Sequence, residues 1–167
     1  MKIQGIPRRG RGYMTSYRIL RQGPMQTDLI RFVVVDDNEA ILQIWRRVFS
    51  IERNCSCMLT SSPHEAISEI EIHGTDILLT DFEMPEMNGA ELATKVKQIS
   101  PQTRILFSTG EVALLEKYGH LFDKFEVIQK PYSNIFNIQS FIHNLVNNTP
   151  LNQHQGKLQG SIFVWSF

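Results

Sequence analysis

Short apolar runs alternate with helix-spaced apolar positions along most of the chain. Ile30–Val35 is a β-branched run that reads as a strand. After it, Ile41, Ile44, Trp45 and Val48 recur at i, i+3, i+4 and i+7, the spacing of one helix face. Cys55–Leu59 reads as a second strand. Ser62, Pro63 and Glu65 then supply an N-cap, a proline at the first helical position and a capping-box acid, with Ala66, Ile67 and Ile70 as the inward stripe. Ile77–Thr80 is a third strand. Asn88, with Glu91 three residues later, opens a helix carrying Leu92, Val96 and Ile99, and Pro101 stops it. Arg104–Ser108 is a fourth strand, Val112–Tyr118 a weaker helix and Val127–Gln129 a short fifth strand. Ile135–Val146 closes the series as a helix with Ile138, Phe141, Ile142 and Leu145 inward. There is no internal repeat.

Strands that are apolar at nearly every position need cover on both faces, so five βα units predict an α/β fold: a doubly wound five-stranded parallel sheet with helices on both faces. The pattern occupies residues 28–147 and predicts one domain, flanked by an N-terminal extension, 1–27, and a C-terminal tail, 148–167. The extension is rich in Gly, Arg and Gln and lacks periodicity, so it is expected to be flexible. Met14 and Met25 are alternative starts within it. The tail ends in the apolar run Ile162-Phe163-Val164-Trp165-Ser166-Phe167, which either docks on the body as an added strand or stays exposed.

The composition is that of a globular protein, with 42% hydrophobic and 20% charged residues in 167. No apolar run approaches the roughly 18 residues of a membrane-spanning helix. The formal net charge of zero hides an asymmetry. Residues 1–27 carry six basic side chains and no acid, whereas residues 28–149 carry 10 basic and 17 acidic ones. An acidic body lacks the basic surface that displaces counterions from phosphates, so direct DNA binding is not expected. Cys55 and Cys57, the only cysteines, would point to the same face of a strand, poorly placed to bridge each other. They read as buried thiols of a cytoplasmic protein.

In doubly wound folds the C-terminal ends of the strands gather functional side chains. Asp36 and Asp37 follow the first strand, Asp81 the third, Ser108, Thr109 and Gly110 the fourth, and Lys130-Pro131 the fifth. Three carboxylates, a hydroxyl and an ammonium would meet at one edge of the sheet. Hard oxygen ligands of this kind suit Mg²⁺, which keeps waters and favours phosphate partners. Each residue alone reads more simply as a cap or turn former; their order and joint placement carry the signal.

Residues 28 to 147 resemble the receiver domain of two-component response regulators, with the flavodoxin-like fold. The resemblance lies in Val33-Val34-Val35-Asp36-Asp37-Asn38, in the D-x-x-M-P-x-x-x-G segment Asp81–Gly89, in Ser108-Thr109-Gly110 and in Lys130-Pro131. Steps of 44, 28 and 21 residues separate Asp37, Asp81, Thr109 and Lys130. It implies phosphoryl transfer from a sensor histidine kinase or histidine phosphotransfer protein onto Asp81. Asp37 and Asp81 would ligate Mg²⁺ directly, Asp36 mainly through water, and Glu83 through its backbone carbonyl. Lys130 would pair with a phosphoryl oxygen, the Thr109 hydroxyl would move to bond another, and Lys130-Pro131 would be cis. Output would run through contacts with an unidentified downstream protein, since the C-terminal tail is too short for an effector domain. Self-association stays open.

The chain departs from the family pattern at two places, Val127 and the acids Glu83 and Glu111. The position three before the lysine, usually aromatic, is Val127, which has no ring to swing between buried and exposed rotamers. Phe107 and Phe125 are the candidates to substitute for it, although each reads more simply as core or surface packing. Glu83 and Glu111, two residues after Asp81 and Thr109, place acids where side chains flank an incoming donor or water, and so are expected to modulate acyl-phosphate lifetime. The weak helix over 112–118 is the element expected to rearrange. Two other readings are a phosphorylation-independent scaffold, favoured only by Val127, and an aspartate-nucleophile phosphatase, which usually shows D-x-D where this chain has Asp81-Phe82-Glu83.

Overall fold

Consecutive apolar residues need cover on two sides, and among the described residues two helices lie on each face of one sheet. A computed structural model describes residues 29–110, 124–132 and 134–147, together with the backbone of three outlying strands. In chain order the elements are β1 (Lys2–Gly5), β2 (Ser16–Leu20), β3 (Ile30–Val35), α1 (Glu39–Ser50), β4 (Cys55–Thr60), α2 (Pro63–His73), β5 (Ile77–Asp81), α3 (Gly89–Ile99), β6 (Arg104–Thr109), β7 (Lys124–Gln129), α4 (Ile135–Val146) and β8 (Ile162–Ser166). The strands lie in the order β1-β2-β4-β3-β5-β6-β7-β8. The five central strands, β4-β3-β5-β6-β7, are mutually parallel, as the sequence pattern predicts.

The sheet exceeds the predicted five strands. β2 pairs antiparallel with β4, β1 antiparallel with β2, and β8 antiparallel with β7. Two of these strands fall in the extension expected to be flexible. Lys2–Gly5 and Ser16–Leu20 alternate polar and apolar residues too briefly to stand out in sequence, and they pair in succession onto an existing edge of the sheet. β8 takes the docked option for the C-terminal apolar run. The expected helix over 112–118 and Glu111 lie outside the described residues.

Alternation along the strands divides the core in two. Phe32, Val34, Leu79, Leu106 and Ile128 face α1 and α4, where they meet Trp45, Phe49, Ile138 and Phe141. Val33, Val35, Leu78, Phe107 and Val127 face α2 and α3, where they meet Ile70, Leu92 and Val96. Cys55 and Cys57 share the first face as buried thiols with no disulfide between them, and burial pushes Cys57 well above the ordinary thiol value.

Helix ends follow the sequence closely. Asn88 and Glu91 form a full capping box, and Pro63 sits at the start of α2 behind Ser62. Glu65 departs from its expected role. Its carboxylate accepts the Thr60 hydroxyl at 2.7 Å, and that oxygen in turn takes the Ser62 amide at 3.1 Å. The stripe of α1 is rotated from the expected one: Leu42, Trp45, Val48 and Phe49 are buried, while Ile41 and Ile44 flank them.

Candidate functional site

The first strand of the parallel set, β3, lies in the middle of the sheet, with β4 on one side and β5 on the other. The chain leaves β3 and β5 toward helices on opposite faces, and the crevice between their C-terminal ends is the switch point where ligands bind in such sheets. The residues that flank it are acidic. Asp36 follows the last residue of β3 and donates its amide to Thr60 at 3.2 Å. Its Oδ1 accepts the Asn38 amide at 3.0 Å, and Asn38 caps α1 through a bond from the Ala40 amide, so the acid and the helix start are built as one unit.

Asp81 is the final residue of β5 and the Cα partner of Ser108 on β6. Its Oδ1 accepts the Phe82 amide at 2.7 Å, which fixes the carboxylate against the sheet end. The carbonyl of Asp81 crowds Gly89: a Cβ there would lie 2.2 Å from that oxygen and 3.0 Å from Phe82 Cα. The glycine of the D-x-x-M-P-x-x-x-G segment is thus required by close backbone approach.

Lys130 follows β7. Its amide donates to the Thr109 carbonyl at 2.8 Å, and Lys130-Pro131 is cis, as expected. Its ammonium lies 2.7 Å from Asp36 Oδ2 and 3.2 Å from Asp81 Oδ1. One oxygen from each of Asp36, Asp37 and Asp81 falls within 4.8 Å of the others. Thr109 ends β6 and is buried, whereas Glu83 is exposed in the loop after β5. The structure therefore brings together Asp36, Asp37, Asp81 and Lys130 in direct geometry. Val127 lies away from this cluster, fully buried among the core residues under α2 and α3.

The charge of the cluster explains what it could hold. Three carboxylates against one ammonium leave two negative charges uncompensated, and a divalent cation with a preference for oxygen matches that deficit. The strain is visible at Asp36, which is fully buried. Burial raises its carboxyl above the ordinary 3.8, more than the Lys130 ion pair lowers it. A group whose folded value is raised holds its proton more tightly in the native state, so its contribution to stability falls as pH rises from its ordinary value through the raised one. We expect Asp36→Asn to raise the melting temperature of the metal-free protein at neutral pH, with the difference shrinking toward pH 4. Millimolar Mg²⁺ should stabilise the wild type, and Asp36→Asn much less. Thermal melts with and without Mg²⁺ check both; a neutral-pH melting point unchanged by Asp36→Asn would contradict the burial argument.

Sequence reasoning missed one neighbour of the site. The Tyr132 hydroxyl hydrogen-bonds the Ser108 hydroxyl and accepts the indole N–H of Trp45 at 3.2 Å. The Trp45 ring meets the Tyr132 ring edge-on at 5.5 Å. Burial pushes the phenol far above its ordinary value, so the hydroxyl keeps its proton. The available signal was the β6 alternation, which puts Ser108 on the face of Leu106 among apolar residues, where a hydroxyl needs a partner.

The comparisons with known proteins agree with this arrangement. The family profile of the response regulator receiver domain matches residues 32–135. The transcriptional regulatory protein NatR of Bacillus subtilis is 31% identical over 107 residues, covering 62% of this chain and 45% of that protein. A protein-glutamate methylesterase/protein-glutamine glutaminase of Bdellovibrio bacteriovorus is 30% identical over 105 residues, covering 61% of this chain and 30% of that one. The chain thus spans less than half the length of either curated relative. Among solved structures, a CheY-like response regulator receiver domain protein from Methanospirillum hungatei superposes with a TM-score of 0.61 at 25% identity, over 72% of this chain and 96% of that one. With the parallel sheet, the paired acids at its switch point and the lysine that bridges them, these matches lead to one conclusion: the chain belongs to the response regulator receiver domain family and carries a receiver of two-component phosphorelay systems.

Proposed function

We propose that Asp81 accepts a phosphoryl group from a phosphohistidine on a sensor histidine kinase or a histidine phosphotransfer protein, and that residues 28–147 signal the result through protein contacts in the cytoplasm. The observation that carries this reading is the placement of Lys130 Nζ between Asp36 and Asp81, whose carboxylates lie within 4.8 Å of that of Asp37. Asp81 Oδ1 is engaged by the Phe82 amide and Lys130, which leaves Oδ2, without a hydrogen-bond partner among the described residues, as the attacking oxygen. Transfer breaks the N–P bond of the donor, forms an O–P bond at Asp81 and returns the electron pair to the imidazole, which takes up a proton. Positioning and charge neutralisation supply most of the acceleration in this chemistry.

The chain's own residues divide that work. Asp36, Asp37 and Asp81, with the Glu83 carbonyl, would hold Mg²⁺, which when bound screens the carboxylate from the incoming phosphoryl oxygens. Lys130 is already drawn toward Asp81 and would neutralise a phosphoryl oxygen there. The Thr109 hydroxyl would bond another, and Glu83 and Glu111 would tune access of hydrolytic water. In this reading the protein is a phosphoacceptor that promotes only its own phosphorylation and dephosphorylation.

Incubation with acetyl phosphate and Mg²⁺, followed by intact mass measurement, tests the proposal. A single phosphoryl adduct that forms only when Mg²⁺ is present supports it. No adduct, together with no beryllofluoride binding, would point instead to a phosphorylation-independent scaffold.

A further inference from the structure

In this chain the position that would carry a switching aromatic is a valine packed on the α2/α3 side of the sheet. Alternation along β6 carries Thr109 to that same side, with Phe107, while Ser108 projects to the opposite one, where α1 and α4 pack. A polar chain runs on that opposite side. Ser108 is the Cα partner of Asp81, its hydroxyl meets Tyr132, and Tyr132 accepts the indole N–H of the fully buried Trp45 at 3.2 Å. Trp45 lies in the middle of α1, whose first turn is tied to the acids through the Asn38 amide and Asp36 Oδ1.

We propose that Tyr132 is a positioning residue that transmits the occupancy of Asp81 to helix α1 through the Ser108–Tyr132–Trp45 chain, on the sheet face opposite Val127. The inference rests on the reading of Asp81 as the acceptor. The mechanical basis is short. Lys130 divides its ammonium between Asp36 and Asp81, so a phosphoryl group on Asp81 changes where that ammonium is held. Tyr132 is two residues further along the chain, and its hydroxyl is fixed at one end to the strand beside Asp81 and at the other to α1. Displacement of Lys130 or of the β6 end therefore loads the Tyr132 hydroxyl and, through it, the Trp45 indole. Hydrogen bonds between buried groups are costly to leave unmade, so Trp45 and Ser108 follow the hydroxyl and are not left unpaired. The surface that changes is that of α1.

Trp45 is itself the reporter. The chain has two tryptophans, so a Trp165→Phe background isolates the Trp45 emission. Mg²⁺ with beryllofluoride, which occupies the acceptor without turnover, is expected to shift that emission. Tyr132→Phe keeps the ring and removes the hydroxyl; it should abolish the shift while fluorine NMR still shows beryllofluoride bound. Ser108→Ala, which leaves the tyrosine in place, should lose the shift in the same way and serves if Tyr132→Phe folds poorly. A shift that persists undiminished in both variants, or an emission that does not respond in the background protein with beryllofluoride bound, overturns the relay and leaves the acceptor reading standing. Absence of bound beryllofluoride in the background protein overturns both.

Discussion

Asp81→Asn is expected to abolish uptake of the phosphoryl group from acetyl phosphate, giving the largest functional loss of any single substitution in the chain. Asparagine has nearly the shape of aspartate and its carbonyl oxygen can keep the Phe82 amide bond made by Oδ1 at 2.7 Å. The fold is therefore retained. Lys130 still has Asp36 at 2.7 Å. What disappears is the proposed nucleophile, because a neutral amide oxygen has no charge to place against phosphorus, and one of the three acids that would hold the cation. Removing one of three crowded carboxylates also relieves repulsion, so the melting temperature of the metal-free variant should not fall below that of the wild type. A full-strength phosphoryl adduct on Asp81→Asn would place the acceptor elsewhere and end the proposal.

The largest loss of stability is expected from Gly89→Ala. The added Cβ would sit 2.2 Å from the Asp81 carbonyl oxygen, and both atoms belong to backbone that is held in place. Gly89 donates its amide to Phe82 O at 2.8 Å, and the Asn88–Glu91 capping box anchors the start of α3 immediately beyond it. Neither side can yield without breaking these bonds. Overpacking of this kind costs about 3 kcal/mol or more, which for a domain of this size lowers the melting temperature by roughly 10 °C. Any relaxation must displace the end of β5, so phosphoryl uptake should fall as well, although residue 89 bears no functional group. Calorimetry on the purified variant checks this, and a melting point within a degree or two of the wild type would show that the close approach is not a constraint.

These two residues mark different kinds of legibility. Asp81 could be singled out because the strand before it, Ile77–Thr80, is mostly apolar and the residue after such a strand, in a doubly wound sheet, lies at the functional edge. Gly89 was legible only as part of a motif, and its physical cause is a contact with a residue eight positions earlier that the loop folds back to meet. Asp36 and Lys130 were each visible at a strand end. Their direct ion pair joins residues 94 apart in sequence and exists because the sheet order brings the ends of β3 and β7 within reach.

The five parallel strands, most helix faces and caps, and the residues at the switch point were legible before folding, because periodicity, capping and strand-end placement are local properties. The remainder depends on contacts between residues distant in sequence. β1, β2 and β8 join the sheet because an existing edge offers unpaired backbone groups to short segments whose own pattern does not say where they pair. Glu65 turned to Thr60, and Tyr132 linked Ser108 to Trp45, because buried hydroxyls and carboxylates take the partners that packing brings to them. Asp36 rises above its ordinary carboxyl value because the finished fold removes water from it while providing one ammonium for three acids.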